Sequence, residues 1–208
     1  MRKLLFTVMF LAIMSSPLAA LSATWNYYND VSDDGYWNLP DATDQYVQGY
    51  DPADFSCTEG YIITSVGIWA SGDYTAEDGS GPCMVYLILL PTKETSPEGI
   101  SHTYEQGGLT LSWIADTDTL NEFSVDWHVS ANQCIGLGII GEDPYIADYV
   151  IPQSSAPSNT ADWEFYNEVW NNFEDDYGYD TDMCFQLTVE ENVAIQPTSV
   201  GVIKALFQ

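Results

Sequence analysis

The sequence predicts an all-β domain built as an antiparallel sandwich, and three observations carry that prediction. Short runs rich in β-branched and aromatic residues recur along the chain. Clusters of Gly, Pro and Asp separate them. Between them no stretch has the apolar spacing of a clear amphipathic helix, so hairpin connections suit the pattern better than helical crossovers.

The first element is an export signal. Met1, Arg2 and Lys3 give a positive start, and an apolar run follows from Leu4 to Met14, interrupted only by Thr7. Ser15, Ser16 and Pro17 end the run, and Ala19, Ala20 and Ala23 supply small residues for cleavage. This is the three-part plan of a secretory signal. The run is too short for a permanent span, which needs about 20 apolar residues. Cleavage is expected after Ala23, with Ala20 as the alternative, and no lipobox cysteine follows. The chain divides into a signal peptide over 1–23, a sandwich domain over 24–191 and a tail over 192–208.

Strands are expected near Gln45–Tyr50, Tyr61–Trp69, Met84–Leu90, Leu109–Ile114, Asn121–Val125, Cys134–Ile140 and Met183–Val189. Ile63, Val66 and Ile68 with Trp69, and Val85, Leu87 and Leu89 with Tyr86 and Ile88, leave little room for a solvated face, so parts of these strands should be buried on both sides. Breaks fall at Asp51-Pro52, Gly72-Asp73, Asp78 to Pro82, Pro97 to Gly99, Gly107-Gly108 and Asp143-Pro144. The segment from Asp162 to Phe173 reads two ways. Trp163, Tyr166, Trp170 and Phe173 have helical spacing after the capping residues Asn159 and Thr160, while the same stretch also suits a small hairpin around Asn167-Glu168.

Charge narrows the range of partners. The sequence has 31 acidic residues and four basic ones. Loss of the signal leaves Lys93 and Lys204 against all 31 acids, a net charge of −29. Such a chain repels nucleic acid and anionic membrane surfaces, so neither nucleic-acid binding nor membrane insertion after signal cleavage is expected. An extracellular glycan, a surface protein or cations are the compatible partners, and high charge also serves solubility on its own. With 46% hydrophobic and 14% aromatic residues the chain is too apolar to be an unfolded acidic tail. About 185 residues after cleavage suit one domain with its own core.

Cys57, Cys83, Cys134 and Cys184 all lie in the exported part. An even count in an oxidising compartment suggests two disulfides, for which three pairings are open. No Cys-x-x-Cys occurs, which argues against zinc and thioredoxin-like chemistry.

Catalytic signatures are missing. His102 and His128 are the two histidines, and neither sits in a triad motif. Neither Gly-x-Ser-x-Gly nor His-Glu-x-x-His is present. A glycoside hydrolase needs two carboxylates at a set separation, and 31 acids provide pairs by chance alone, but the paired glutamate strands of compact xylanase-like enzymes have no match here. The domain is therefore expected not to be an enzyme.

Two kinds of binding have a physical basis. Calcium takes six to eight oxygen ligands, often from Asp-rich turns. Asn29, Asp30, Asp33 and Asp34 form one such cluster, and Asp116, Asp118, Asn121 and Glu122 a second. The set preferred as a structural calcium site is Asp175, Asp176, Asp180 and Asp182, where Gly178 permits a tight turn. Sugar binding would use Trp163, Tyr166, Trp170, Tyr177 and Tyr179 as stacking platforms, with Asn167, Asn171 and Asn172 nearby for the hydroxyls. Tyr27, Tyr28, Tyr36 and Trp37 form a second aromatic group. Against this, large aromatics most often fill cores, which is the expectation for Trp69 and Trp113 and, only slightly less so, for Trp163 and Trp170.

Four pieces in order carry a resemblance: Asp34-Gly35-Tyr36, the run Tyr61 to Trp69, the run Cys134 to Ile139, and Phe165-Tyr166 and Trp170 followed by Asp182 to Thr188. Over roughly residues 30–190 the chain resembles the jelly-roll-like accessory domains of secreted bacterial proteins. That resemblance implies a non-catalytic, jelly-roll-like antiparallel β-sandwich, favours the hairpin over the helix at 162–173, and carries no ligand site onto these residues. The end, Thr198 to Phe207, is similar to a short closing tail on exported proteins of little-studied bacterial lineages, though Val200 stands where those tails show Trp. The likeness implies a sorting or assembly signal of a type IX-like kind, and a terminal strand or frayed end is the other reading. The expected function is a structural or adhesive role at the cell surface, with carbohydrate binding and, behind it, glycoside hydrolysis as alternatives.

Overall fold

A computed structural model describes residues 22–31, 35–38, 44–72, 78–142, 149–154, 161–179 and 181–191. Most of the signal segment and all of the tail lie outside these residues. Residues 22–192 form one compact unit.

The described residues make thirteen strands in two sheets, and every paired strand runs antiparallel. They are β1 (Ser22–Trp25), β2 (Gly35–Asn38), β3 (Gln45–Tyr50), β4 (Tyr61–Gly72), β5 (Gly79–Leu90), β6 (Tyr104–Trp113), β7 (Thr119–Val129), β8 (Cys134–Gly141), β9 (Tyr149–Ser154), β10 (Asp162–Tyr166), β11 (Val169–Asn172), β12 (Asp182–Met183) and β13 (Phe185–Glu191). One sheet has the order β1-β13-β4-β9-β12, with β2 also on β9 and β7 also on β4. The other has the order β11-β10-β3-β8-β5-β6. The chain is an all-β sandwich, as its strand pattern predicts.

Alternation along the strands divides the apolar residues between two layers. In β5, Val85 and Leu87 join the core between the sheets, together with Ile63 and Val66 of β4 and Leu187 of β13. Tyr86, Ile88 and Leu90 point the other way and form a second cluster with Val47 of β3 and Cys134 of β8, on the outer face of the six-stranded sheet. This two-sided burial explains the continuous apolar run in β5.

The hairpin reading of 162–173 is borne out. β10 and β11 pair with Tyr166 opposite Val169, leaving Asn167 and Glu168 as a two-residue turn. Their φ angles of 52° and 66° are the paired positive values of a type I′ hairpin. A short helix unforeseen in the sequence, α1 (Phe173–Tyr177), follows directly. Asn172 caps it by accepting hydrogen bonds from the amides of Glu174 and Asp175, both at 3.0 Å, and Gly178 ends it at φ 74°.

β1 bears on the cleavage point. Ser22 to Trp25 pair with Glu190 to Leu187 of β13, so a cut after Ala23 would remove half of the strand, and a cut after Ala20 would leave it whole.

The expected disulfides are not formed: all four cysteines stand as buried thiols. Strand register separates one pair: Cys83 pairs with Gly141 and Leu90 with Cys134 on the β5–β8 ladder, so Cys83 and Cys134 are seven residues apart along it, or about 23 Å. Cys57 and Cys134 both lie near Tyr61. Cys184 sits between β12 and β13 of the other sheet. Among the described residues no helix is long and apolar enough to cross a membrane.

Candidate recognition face and a buried acid seam

The outer face of the six-stranded sheet is built around two glycines of β8. A β-carbon at Gly138 would overlap the Tyr86 ring, and one at Gly136 would press on Val47 and Ile88. Glycine therefore lets these side chains lie flat on the sheet. His102 stacks on Tyr86 with ring centroids 3.8 Å apart, and its Nδ1 lies 2.7 Å from Glu105 Oε1. The Tyr86 hydroxyl donates to Gln45 Oε1 at 2.8 Å, and burial raises its pKa above the usual tyrosine value. This histidine is thus part of the packing on the face.

Trp163 and Trp170 flank this cluster, half-buried. Trp163 lies opposite Val47 in the β10–β3 register, and Trp170 packs against Phe165 with centroids 5.2 Å apart. Val169 and Tyr166, at the hairpin turn, are 56% and 40% exposed. The structure divides the predicted sugar-binding set. Tyr177 packs against the inter-sheet core and donates its hydroxyl to Glu164 Oε2 at 2.9 Å. Burial and the Glu164 carboxylate raise the Tyr177 pKa above the usual tyrosine value. Tyr179 is exposed beside Tyr177, with centroids 6.4 Å apart. Trp163 and Trp170 are thus brought together with Phe165, while Tyr177 and Tyr179 pack as a separate pair.

The predicted calcium set is divided too. Asp175 and Asp176 are exposed on α1, where Asp176 Oδ2 accepts from the Asn172 amide at 2.7 Å. Asp182 is fully buried, and Asp180 lies outside the described residues. In the second acidic cluster Asn121 bonds both ways with the Ser112 backbone, at 2.8 and 2.9 Å, and so ties the β6–β7 corner. Asp33 and Asp34 of the first cluster lie outside the described residues. Among the described residues no three His, Cys, Asp or Glu side chains converge as metal ligands would.

The structure also reveals an acid pair that sequence reasoning missed. Asp162 of β10 and Asp182 of β12 are 3% and 0% exposed, and burial, then the Asp182 charge, hold the Asp162 carboxyl well above the usual carboxylate range. Gln48 Nε2 donates to Asp162 Oδ1 at 3.0 Å and to the Met183 carbonyl at 2.9 Å, and the Tyr50 hydroxyl donates to Gln48 Oε1 at 2.7 Å. The Met183 amide completes the seam with a 3.4 Å bond to Asp162 Oδ1. The available signal was Gln48 itself, a polar residue amid the apolar β3 pattern.

Comparison with known proteins adds the fold alone. No known protein family matches the chain. No curated protein matches it either. Among solved structures it is similar to the cysteine protease and lectin-like domains of Cwp84, a surface layer associated protein of Clostridium difficile. The TM-score is 0.50 at 7% identity, over 86% of this chain and 37% of that one. The chain thus spans little more than a third of that structure's length. Infectious bursal disease virus structures, of the Gt strain and of T=1 particles, match at TM-score 0.34 and 10% identity over 85% of this chain and 38% and 37% of theirs.

Proposed function

We propose that this chain is a non-catalytic, extracytoplasmic β-sandwich module with a structural or adhesive role at the cell surface, and that it meets its partner through the aromatic edge of the six-stranded sheet. The observation that carries this reading is the placement of Trp163, Phe165 and Trp170, all half-buried, beside an apolar cluster on the sheet face turned away from the core. Val169 and Tyr166 at the adjoining hairpin turn are exposed, and apolar and aromatic residues open to solvent are a feature of interaction surfaces. The signal-like N-terminus and the excess of acidic residues support an exported location and a partner that is neither nucleic acid nor an anionic bilayer. The similar structure belongs to a surface layer associated protein and includes a lectin-like domain. A jelly-roll-like accessory domain is the kind of module this describes.

Carbohydrate is the second reading. Partly open indoles offer flat faces for pyranose rings, and Trp163 and Trp170 are such indoles. Incubation of the exported chain with cell-wall preparations and insoluble polysaccharides tests both readings if bound protein and soluble products are measured together. Retention without release of sugars or peptides is the expected result. Release of product would make the chain an enzyme.

A further inference from the structure

We propose that the outer face of the seven-stranded sheet carries a separate binding site for an uncharged glycan, built from Trp69, Gln186 and Glu122. The site lies on the opposite sheet from Trp163 and Trp170, and so goes beyond the recognition edge proposed above.

Strand alternation brings these side chains together. Val66 and Ile68 of β4 enter the core between the sheets, so Gly67 and Trp69 turn outward. Leu187 of β13 and Phe123 of β7 also enter the core, which turns Gln186 and Glu122 to the same outer face. Register then aligns them: Gly67 stands opposite Gln186 on one side and Glu122 on the other. Trp69 is the next outward residue along β4, about 7 Å away. The strand pattern suggested the core for Trp69, but it stands half-buried on this face, and Glu122 is exposed.

Hydrogen bonding fixes which atoms are left for a ligand. An indole N–H can only donate, so Trp69 Nε1 gives its proton to the Tyr28 hydroxyl oxygen at 2.9 Å. The Tyr28 hydroxyl in turn donates to Gln186 Oε1. Burial raises the Tyr28 pKa above the usual tyrosine value, so the hydroxyl keeps the proton this relay needs. With Oε1 engaged, the Gln186 amide presents Nε2, and among the described residues Nε2 donates to no partner. Gly67 makes the room, because a β-carbon there would crowd the Gln186 side chain. The amide therefore lies over the glycine, in the row that leads across β4 to the Glu122 carboxylate. Trp69 meets Tyr28 through its N–H edge, with the ring planes at 86°, so Tyr28 leaves the indole faces clear.

A flat apolar ring beside one N–H donor and one carboxylate acceptor is the complement of a pyranose. The C–H face of the sugar stacks on the indole, and neighbouring hydroxyls accept from Gln186 and donate to Glu122. Charge sets the class of sugar. Asp126 and Glu190 turn to this face as well, and no Lys or Arg lies on the described strands of the sheet. Uronic and other anionic sugars are repelled, which leaves neutral glycans.

Calorimetric titration of the exported chain with cellohexaose, mannohexaose and chitohexaose, and with oligogalacturonate as the anionic counterpart, tests the site. At least one neutral hexasaccharide should bind, and oligogalacturonate should not. Trp69→Ala and Gln186→Ala should weaken that binding about tenfold or more and Glu122→Gln severalfold, while Trp163→Ala and Trp170→Ala leave it within about twofold. Glu122 is exposed, so its variant carries the test if removal of Trp69 or Gln186 unfolds the chain. Binding to none of the neutral sugars, equal binding of oligogalacturonate, or an affinity unchanged in Trp69→Ala or in Glu122→Gln would overturn the site. A loss in Trp163→Ala as great as that in Trp69→Ala would overturn it too, and would place sugar binding on the edge of the six-stranded sheet.

Discussion

The Tyr86 ring lies flat over Gly138 of the neighbouring strand, in the space a β-carbon would occupy. This contact forms the outer face of the six-stranded sheet, because His102 stacks on the far side of the same ring. Gly138→Ala should therefore displace Tyr86 and cost about 1–3 kcal/mol, the range for overpacking a tight site. Urea unfolding checks this, and an unchanged midpoint would show that the ring can move aside freely.

The hairpin turn offers a change in the opposite direction. Glu168 holds φ 66° at the second turn position, where a type I′ hairpin favours glycine. Glu168→Gly should raise stability by about 1 kcal/mol, the strain of a left-handed non-glycine residue. A rise in the thermal midpoint supports the turn assignment, and a fall would count against it.

Asp54 links charge to stability at the other end of the molecule. Burial alone would raise its pKa, but hydrogen bonds from Lys93 and Tyr27 outweigh that and hold it below the usual value. Its contribution is present above the unfolded carboxylate range, near pH 4, and is lost as pH falls through the lower folded value. Lys93→Met should cost about 0.5–1 kcal/mol at neutral pH, allowing for solvent screening of this partly exposed pair, and the cost should shrink in strong acid. Denaturant titrations at the two pH values measure it.

The cysteines give a chemical prediction. Burial pushes the Cys83 thiol up to about 12, so in the folded chain it should resist alkylation at about pH 8. In denaturant without reductant, mass spectrometry should find an alkyl group on each of the four cysteines. A chain carrying two fewer would contain a disulfide.

Much of the sandwich was legible in the sequence, because strand signals are local. The run Gln45–Tyr50 matches β3 residue for residue, and the apolar density of Met84–Leu90 correctly indicated burial on two sides. β9 escaped notice because Pro152 interrupts its pattern, though its carbonyl still accepts from the Cys184 amide at 3.2 Å. The candidate site was only partly legible. Trp163, Trp170 and Tyr177 are close in sequence, but strand alternation and the turn into α1 send the indoles to the outer face and Tyr177 to the core side. Asp162 and Asp182 are twenty residues apart, on strands of different sheets, and both are buried, a placement that no local pattern encodes.

Co-sedimentation of the exported chain with cell-wall preparations and insoluble polysaccharides, repeated with Trp163→Ala and Trp170→Ala variants that keep the wild-type circular dichroism, tests the recognition face most directly. Saturable binding to at least one surface is expected, weakened tenfold or more, on the order of 1.4 kcal/mol, by either substitution. Binding unaffected by both substitutions, or no binding to any preparation, would contradict it.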